Sequence, residues 1–417
     1  MGTGRENEQK RDGRAKIEGM TTVIPLVEYE TLSLAPEALP EEAGTLLWRH
    51  YDAGRGVLDV VFPSPRSAGC WQLTPRGWVG HIPLTPDLGF ALQPRVPLHN
   101  LFQMLEVAYR LQSFRFLDGL VSSDSLAACY ERLAHVLARR VLARARQGFH
   151  RAHRPREERL PYVRGRLDLA RTLQRPWDAR PQCRYETHTA DIADNQILAW
   201  TLGRIARSGL CAPPLQATVR RAYRSLDGLV TPTPYDAAAC ADRLYNRLNE
   251  DYHALHALCR FFLEHSGPGH RVGERTMLPF LVHMARLYEL FVAEWLRLHL
   301  AAARPGWSLK AQEQVAVGAG DALHFRVDLV LYDAEGAARM VLDTKYKTPQ
   351  APDAADVAQV VAYAQSRGCR EAVLVYPQPL PRPLDARVGA VRVRTLSFAL
   401  AGDLEQEGRA FLAALAE

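Results

Sequence analysis

A chain of 417 residues with 47% hydrophobic, 24% charged and 8% aromatic side chains is too long for one ordinary core and too apolar for wholesale disorder. The same composition excludes a fibrous repeat, and two or three domains of about 100–200 residues each are expected. The net charge is +6, but ten arginines against two acids lie between Arg139 and Arg166, a local +8 that leaves −2 for the remainder (+6 minus +8).

The first twenty residues carry nine charged side chains and no apolar stretch, so they read as a solvated tail rather than a secretory signal, with Met20 a candidate natural start. Residues 21–95 are rich in Val, Thr, Trp, Gly and Pro, with alternating runs at Trp71–Thr74 and Trp78–Ile82. Turn signals between them predict a small antiparallel β domain, in which Trp71 and Trp78 are core residues or, as a minority reading, base-stacking groups. From Leu98 the apolar period becomes helical: Leu101, Phe102, Leu105, Ala108 and Tyr109, then Leu126, Leu133, Val136 and Leu137. The basic excess follows, with Arg139, Arg140, Arg144 and Arg146 as candidate nucleic-acid contacts; a solvated helix face plus a charged loop explains the same charge. Residues 155–190 read as a Pro- and Arg-rich connection, and helices are predicted at 193–208, 214–227 and 236–266. Asn195 is expected to be a buried polar contact, and His253 and His256 a helix surface.

Ser266, Gly267, Pro268 and Gly269 mark a boundary near residue 270. A helix over about 277–302 is expected next, interrupted by too many charges to be a membrane span. The strands His324–Tyr332 and Arg339–Lys345 are joined by Asp333-Ala334-Glu335-Gly336, then come a helix at 354–367 and the strand Ala372–Tyr376. Helix, hairpin, helix, strand is an α/β order.

Side chains alternate along a strand, so Asp343 and Lys345 project together, and the turn at 333–336 sets Asp328 nearly opposite Asp343. Two carboxylates and an ammonium then meet at one sheet edge. Oxygen donors of this kind suit Mg²⁺, which acidifies water and neutralises phosphoryl charge. Arginine outnumbers lysine 47 to 5, and two of those five lysines are Lys345 and Lys347. Gln359 and Tyr363, four apart, share one face of the following helix, and Glu289 interrupts the apolar stripe Leu287–Val292 of the preceding one. Exposed strand pairs also carry acids and lysines as ordinary surface charge, so the triplet alone is weak.

Helix-Glu, Asp, Asp-x-Lys, then Gln-x-x-x-Tyr resembles the PD-(D/E)xK nuclease superfamily, and the chain more narrowly resembles the McrC family of McrBC-type restriction systems. Pro94-Arg95-Val96-Pro97-Leu98 is similar to that family's Pro-Lys stretch, with Arg95 where lysine is usual. Arg164-Gly165-Arg166-Leu167-Asp168, Asp194-Asn195-Gln196-Ile197-Leu198, Asp343-Thr344-Lys345-Tyr346-Lys347 and Leu374-Val375-Tyr376-Pro377 follow in the family's order. Val327 stands where the superfamily expects proline. The resemblance covers roughly residues 90–380. It implies an α+β multidomain chain: a tail (1–20), a β-rich partner-docking domain (21–95), a mainly helical middle region (96–270) and a C-terminal α/β PD-(D/E)xK nuclease core (271–417).

By the same resemblance Asp328 and Asp343 bind Mg²⁺ (Mn²⁺ substituting), Glu289 completes the set, Lys345 acts on the water, and Gln359 and Tyr363 shape the site. The implied partners are DNA and a hexameric AAA+ GTPase of the McrB kind, whose hydrolysis the N-terminal region stimulates. Paired assemblies would supply the two centres a double-strand break needs. The lack of a G-x-x-x-x-G-K-[ST] motif means the chain is not the motor. Neither H-E-x-x-H nor G-x-S-x-G occurs, and seven cysteines without a C-x-x-C pair argue against a zinc ribbon or a disulfide framework, so a cytoplasmic protein without a membrane anchor is expected. A non-catalytic DNA-binding or GTPase-activating subunit and a stand-alone repair nuclease are the alternatives.

Overall fold

The computed structural model describes residues 22–111, 125–241, 243–267, 269–272, 275–316 and 324–417. The expected tail lies outside them. Backbone contacts divide the chain into residues 1–129 with 267–417 as one unit and residues 130–266 as another. No helix among the described residues is long and apolar enough to cross a membrane.

In chain order the first unit begins with β1 (Thr22–Val27), β2 (Leu32–Leu34), α1 (Glu41–Leu47, continued by one π turn), β3 (Leu58–Val61), β4 (Trp71–Pro75), β5 (Trp78–Pro83), β6 (Leu88–Gln93) and α2 (Leu98–Ala108). β2, β4 and β3 form one small sheet, whose alternation sends Trp71 and Leu73 into a core with Leu47, Tyr51 and Phe90. Gly44 is required there, because a Cβ would stand 2.3 Å from the Trp71 ring. Trp78 is only half-buried and packs edge-on against His283, ring centroids 4.6 Å apart.

The second unit holds most of α3 (Leu126–Gln147), followed by β7 (Ala152–Arg159), β8 (Arg166–Leu167), α4 (Leu169–Leu173), β9 (Gln182–Thr189), α5 (Ala193–Arg207), α6 (Pro213–Arg224) and α7 (Tyr252–His265). The segment read as a connection is therefore a sheet, β7-β9-β8. His153 to Glu158 of β7 are all exposed, so both faces meet water and no apolar alternation announces the strand. The helix expected over 236–266 is confined to Tyr252–His265. His256 is not on a surface: it is fully buried, its Nε2 3.0 Å from the Asp194 carbonyl and its Nδ1 2.9 Å from the Tyr245 hydroxyl. Burial pushes its pKa down to about 4. Asn195 is buried as expected, donating to the His150 and Ala190 carbonyls and accepting from the Tyr252 hydroxyl.

The first unit resumes with β10 (His270–Val272), β11 (Arg275–Met277), β12 (Phe280–His283), α8 (Met284–Ala303), β13 (Ser308–Ala316), β14 (His324–Tyr332), β15 (Ala338–Thr344), α9 (Ala354–Ser366), β16 (Glu371–Tyr376), β17 (Asp385–Val388), β18 (Val391–Ser397) and α10 (Leu404–Ala416). The helix expected from 277 starts only at Met284, because Phe280–His283 pair antiparallel with β5. This makes the four-stranded sheet β1-β6-β5-β12, so the N-terminal sheet takes its last strand from beyond residue 279. Gly80, at φ 137°, lets the two backbones close; a Cβ there would lie 2.1 Å from the Phe280 carbonyl oxygen. His283 caps α8 by accepting from the Arg286 N–H. Asn100 of α2 donates to the Leu400 and Gly402 carbonyls, both at 2.8 Å, which fixes α2 to the C-terminal segment.

The main sheet has the order β13-β14-β15-β16-β18-β17, with β15, β16 and β18 parallel and the outer pairs antiparallel. Parallel pairing of β15 and β16 requires a crossover, which α9 supplies by packing Val360 and Ala364 onto Val341, Ala372 and Leu374.

Candidate active site

β15 carries the apolar run Met340-Val341-Leu342 into the middle of the main sheet, and Asp343 goes with it to 2% exposure. Leu329 pairs with Leu342, and the same register carried one residue on sets Asp328 across from Asp343. Asp328 is fixed by Thr344, whose N–H and Oγ1 donate to its Oδ2 at 3.1 and 3.2 Å, leaving Oδ1 outside those bonds. Burial raises the Asp343 pKa to about 6, with the Asp328 charge adding to it. Asp328 is also raised by burial, against the opposing Thr344 hydrogen bonds.

Glu289 reaches the same place from α8. Burial raises it to about 7, the Asp328 carboxylate pushes the same way, Arg286 and Arg326 oppose, and Asp343 adds a smaller push. Three carboxylates that resist ionisation together are a common signature of a functional site.

Lys345 Nζ lies 2.6 Å from Asp343 Oδ2 and 3.6 Å from Asp356 Oδ1, and donates to Gln359 Oε1 at 2.9 Å. Gln359 in turn donates to the Tyr363 hydroxyl at 2.8 Å. Burial works against the lysine's charge, but Asp343, Asp356 and Asp328 outweigh it and hold its pKa above the ordinary value. The contact with Asp343 is an ion pair without hydrogen-bond alignment, since Oδ2 is buried and accepts no aligned bond.

Asp328, Asp343, Lys345, Gln359, Tyr363 and Glu289 are thus neighbours. Asp356 was missed, and Lys347, singled out as a rare lysine, had been given no role. Lys347 pairs with both Asp353 and Asp356, the latter at 2.6 Å, so Asp356 joins the two lysines. Its place three residues before Gln359 on the same helix was the available signal. Beyond Lys345, the Tyr346 hydroxyl donates to Glu28 Oε2 at 3.1 Å, and burial raises the pKa of that fully buried glutamate.

The donors suit a hard divalent cation: all are oxygens, and one belongs to a buried carboxylate lacking an aligned partner. As placed, no group of three or more His, Cys, Asp or Glu side chains among the described residues is drawn tightly enough to hold a metal, and the Lys345 ammonium is the cation on Asp343.

The four arginines of α3 are not equivalent. Arg144 donates to the Leu248 carbonyl at 3.2 Å, pairs with Asp251 at 3.4 Å and lies over the Tyr252 ring, while Arg139, Arg140 and Arg146 are exposed.

A family model described as McrBC 5-methylcytosine restriction system component matches residues 73–377. The type IV methyl-directed restriction enzyme EcoKMcrBC of Escherichia coli (strain K12) is 25% identical over 221 residues, 51% of this chain, which spans 62% of that relative's length. A chain of the refined half-complex from the tetradecameric assembly of Thermococcus gammatolerans McrB AAA+ hexamers with bound McrC shares the fold, with a TM-score of 0.54 at 16% identity over 95% of this chain and 99% of that one. A chain of the Thermococcus gammatolerans McrBC complex gives a TM-score of 0.41 at 18% identity over 67% and 88%. The family model covers well over half of the sequence, and the chain belongs to the McrBC restriction system component family.

Proposed function

We propose that the chain is the nuclease subunit, of the McrC kind, of an McrBC-type restriction and phage-defence system, acting in the cytoplasm on DNA. The convergence of Asp328, Asp343 and Lys345 at the end of one strand pair carries this reading. The order α8, β13, β14, β15, α9, β16 around that point supports a PD-(D/E)xK core.

Asp328 and Asp343 would hold Mg²⁺, with Glu289 as the third carboxylate, and Mn²⁺ would substitute. When bound, the metal supplies an acidified water and charge neutralisation at the phosphate. Lys345 carries its proton at neutral pH, so its ammonium donates to the attacking water or a phosphoryl oxygen rather than removing a proton. Gln359, held by Tyr363, orients that ammonium. Thr344 keeps Asp328 in place by donating two hydrogen bonds to one of its oxygens.

The partner in this reading is a hexameric AAA+ GTPase of the McrB kind, stimulated by the N-terminal domain, with paired assemblies making double-strand breaks. DNA cleavage with Mg²⁺, wild type against Asp343→Ala, with and without the partner and GTP, tests it. Cutting by the wild type alone, dependent on partner and GTP, is expected. Cutting without the partner would indicate a stand-alone nuclease. No cutting with GTP hydrolysis still stimulated would indicate a non-catalytic activator.

A further inference from the structure

β1 ends in a tight turn in which Glu30 N–H donates to the Val27 carbonyl at 3.0 Å. Tyr29 occupies the third position at φ 59°, in the left-handed region that glycine or asparagine normally supplies. A bulky residue held there marks a strained site, and strain of this kind concentrates where a side chain has a task. The Tyr29 ring is not held there by burial, being 46% exposed. Its position is nevertheless fixed. Its N–H donates to the Pro75 carbonyl at 3.0 Å, and its hydroxyl lies over Gly77, where a Cβ would stand 2.6 Å away. The exposed Arg95 guanidinium lies over the ring, 5.6 Å from its centroid, and its Nη2 donates to the Tyr29 carbonyl at 3.5 Å.

This ring stands at the rim of a cavity of about 480 Å³ whose walls include Arg95, Pro97, Tyr346, Lys347 and Pro379. The cavity lies beyond the carboxyl ends of the parallel strands β15, β16 and β18, where open sheets of this kind bind ligands. Tyr346 and Lys347 directly follow Lys345, so the cavity adjoins the candidate active site.

We propose that Tyr29 and Arg95 form a stacking platform that receives an unpaired nucleobase of the DNA strand bound at the candidate site, with the cavity accommodating the base. An exposed aromatic ring and the planar guanidinium over it each accept any base by stacking and cation–π contact, with the cation also near the backbone phosphate. A base within a duplex presents only its edges, so the ligand is a base that has left the stack. The inference rests on the reading of the chain as a DNA-handling subunit.

The experiment is a titration of the full chain, in EDTA, into a single-stranded oligonucleotide carrying one 2-aminopurine. Binding, thermal stability and GTP competition are read alongside, and wild-type cleavage of ordinary duplex with Mg²⁺, partner and GTP is measured in parallel. Quenching of the 2-aminopurine by wild type and Tyr29→Phe is expected, unaffected by GTP. Tyr29→Gly, which relieves the turn, should lose the quench and bind roughly tenfold more weakly, with a Tm equal to or above wild type. Wild-type binding by Tyr29→Gly, or an absent quench, overturns the proposal. Displacement by GTP overturns the DNA strand as the source of the base. Duplex cleavage without any quench sinks the platform and leaves the nuclease reading standing; quench without cleavage does the reverse.

Discussion

Replacing Glu289 by Gln should make the metal-free protein more stable, and increasingly so as pH rises. The folded carboxyl titrates near 7 instead of its ordinary 4.5, because it is buried beside Asp328 and Asp343 with only partial compensation from Arg286 and Arg326. Below pH 4.5 the group is protonated in both folded and unfolded chains and contributes nothing. Between 4.5 and about 7 the folded chain binds more protons than the unfolded one, so stability falls as pH rises, and above about 7 the whole penalty is in place. A displacement from 4.5 to about 7 corresponds to roughly 3 kcal/mol at about 1.4 kcal/mol per pH unit. This is a ceiling, because part of the side chain reaches water and the neighbouring carboxylates share the repulsion. Glu289→Gln removes it, so Tm should rise by several degrees at about pH 8 and by little at about pH 5. A divalent cation that draws on the same carboxylates should raise the wild-type Tm at about pH 8 more than at about pH 5, with a smaller gain in the variant. Thermal melts at both pH values, with EDTA or Mg²⁺, decide the matter. A variant no more stable than wild type at the higher pH, or equally stabilised at both, would refute the crowded-carboxylate account.

Lys345→Arg should reduce cleavage at least about tenfold, or ~1.4 kcal/mol of barrier, because a planar fork cannot replace a compact ammonium; turnover by the purified assembly checks it. Asp194→Ala leaves Arg243, His150 and Asn249 without their shared acceptor in the second unit, and a loss of roughly 3–5 kcal/mol is expected in urea unfolding. Gly80→Ala should lose more than about 2 kcal/mol, since the new methyl group meets the Phe280 carbonyl and separates β5 from β12. Arg144→Ala should lower stability through its lost contacts with Leu248, Asp251 and Tyr252, whereas Arg139→Ala should leave Tm unchanged and reduce the salt slope of DNA binding by about 1.

Elements whose pattern is local could be read along the chain. His324–Tyr332 and the turn after it, the helix near 354–366 and the strand ending at Tyr376 were all legible, because their apolar periods are strong and their ends carry turn residues. That Asp328, Asp343 and Lys345 share one edge also follows from strand alternation and hairpin register, which are properties of short segments. The remaining features depend on contacts between segments distant in the chain. Phe280–His283 reads as the first turn of an apolar helix and becomes a strand because β5 offers it an unpaired edge. β7 is held by its pairing with β9 and not by burial, so its sequence carries no period to read. Asp356 and Glu28 are ordinary acids in the sequence, and what they do depends on Lys345, Lys347 and Tyr346 reaching them in the folded chain. Tyr29 is the extreme case: its φ is set by a turn, and its surroundings come from Pro75, Gly77 and Arg95 and, across the cavity, from Tyr346 and Pro379, so no local pattern marks it.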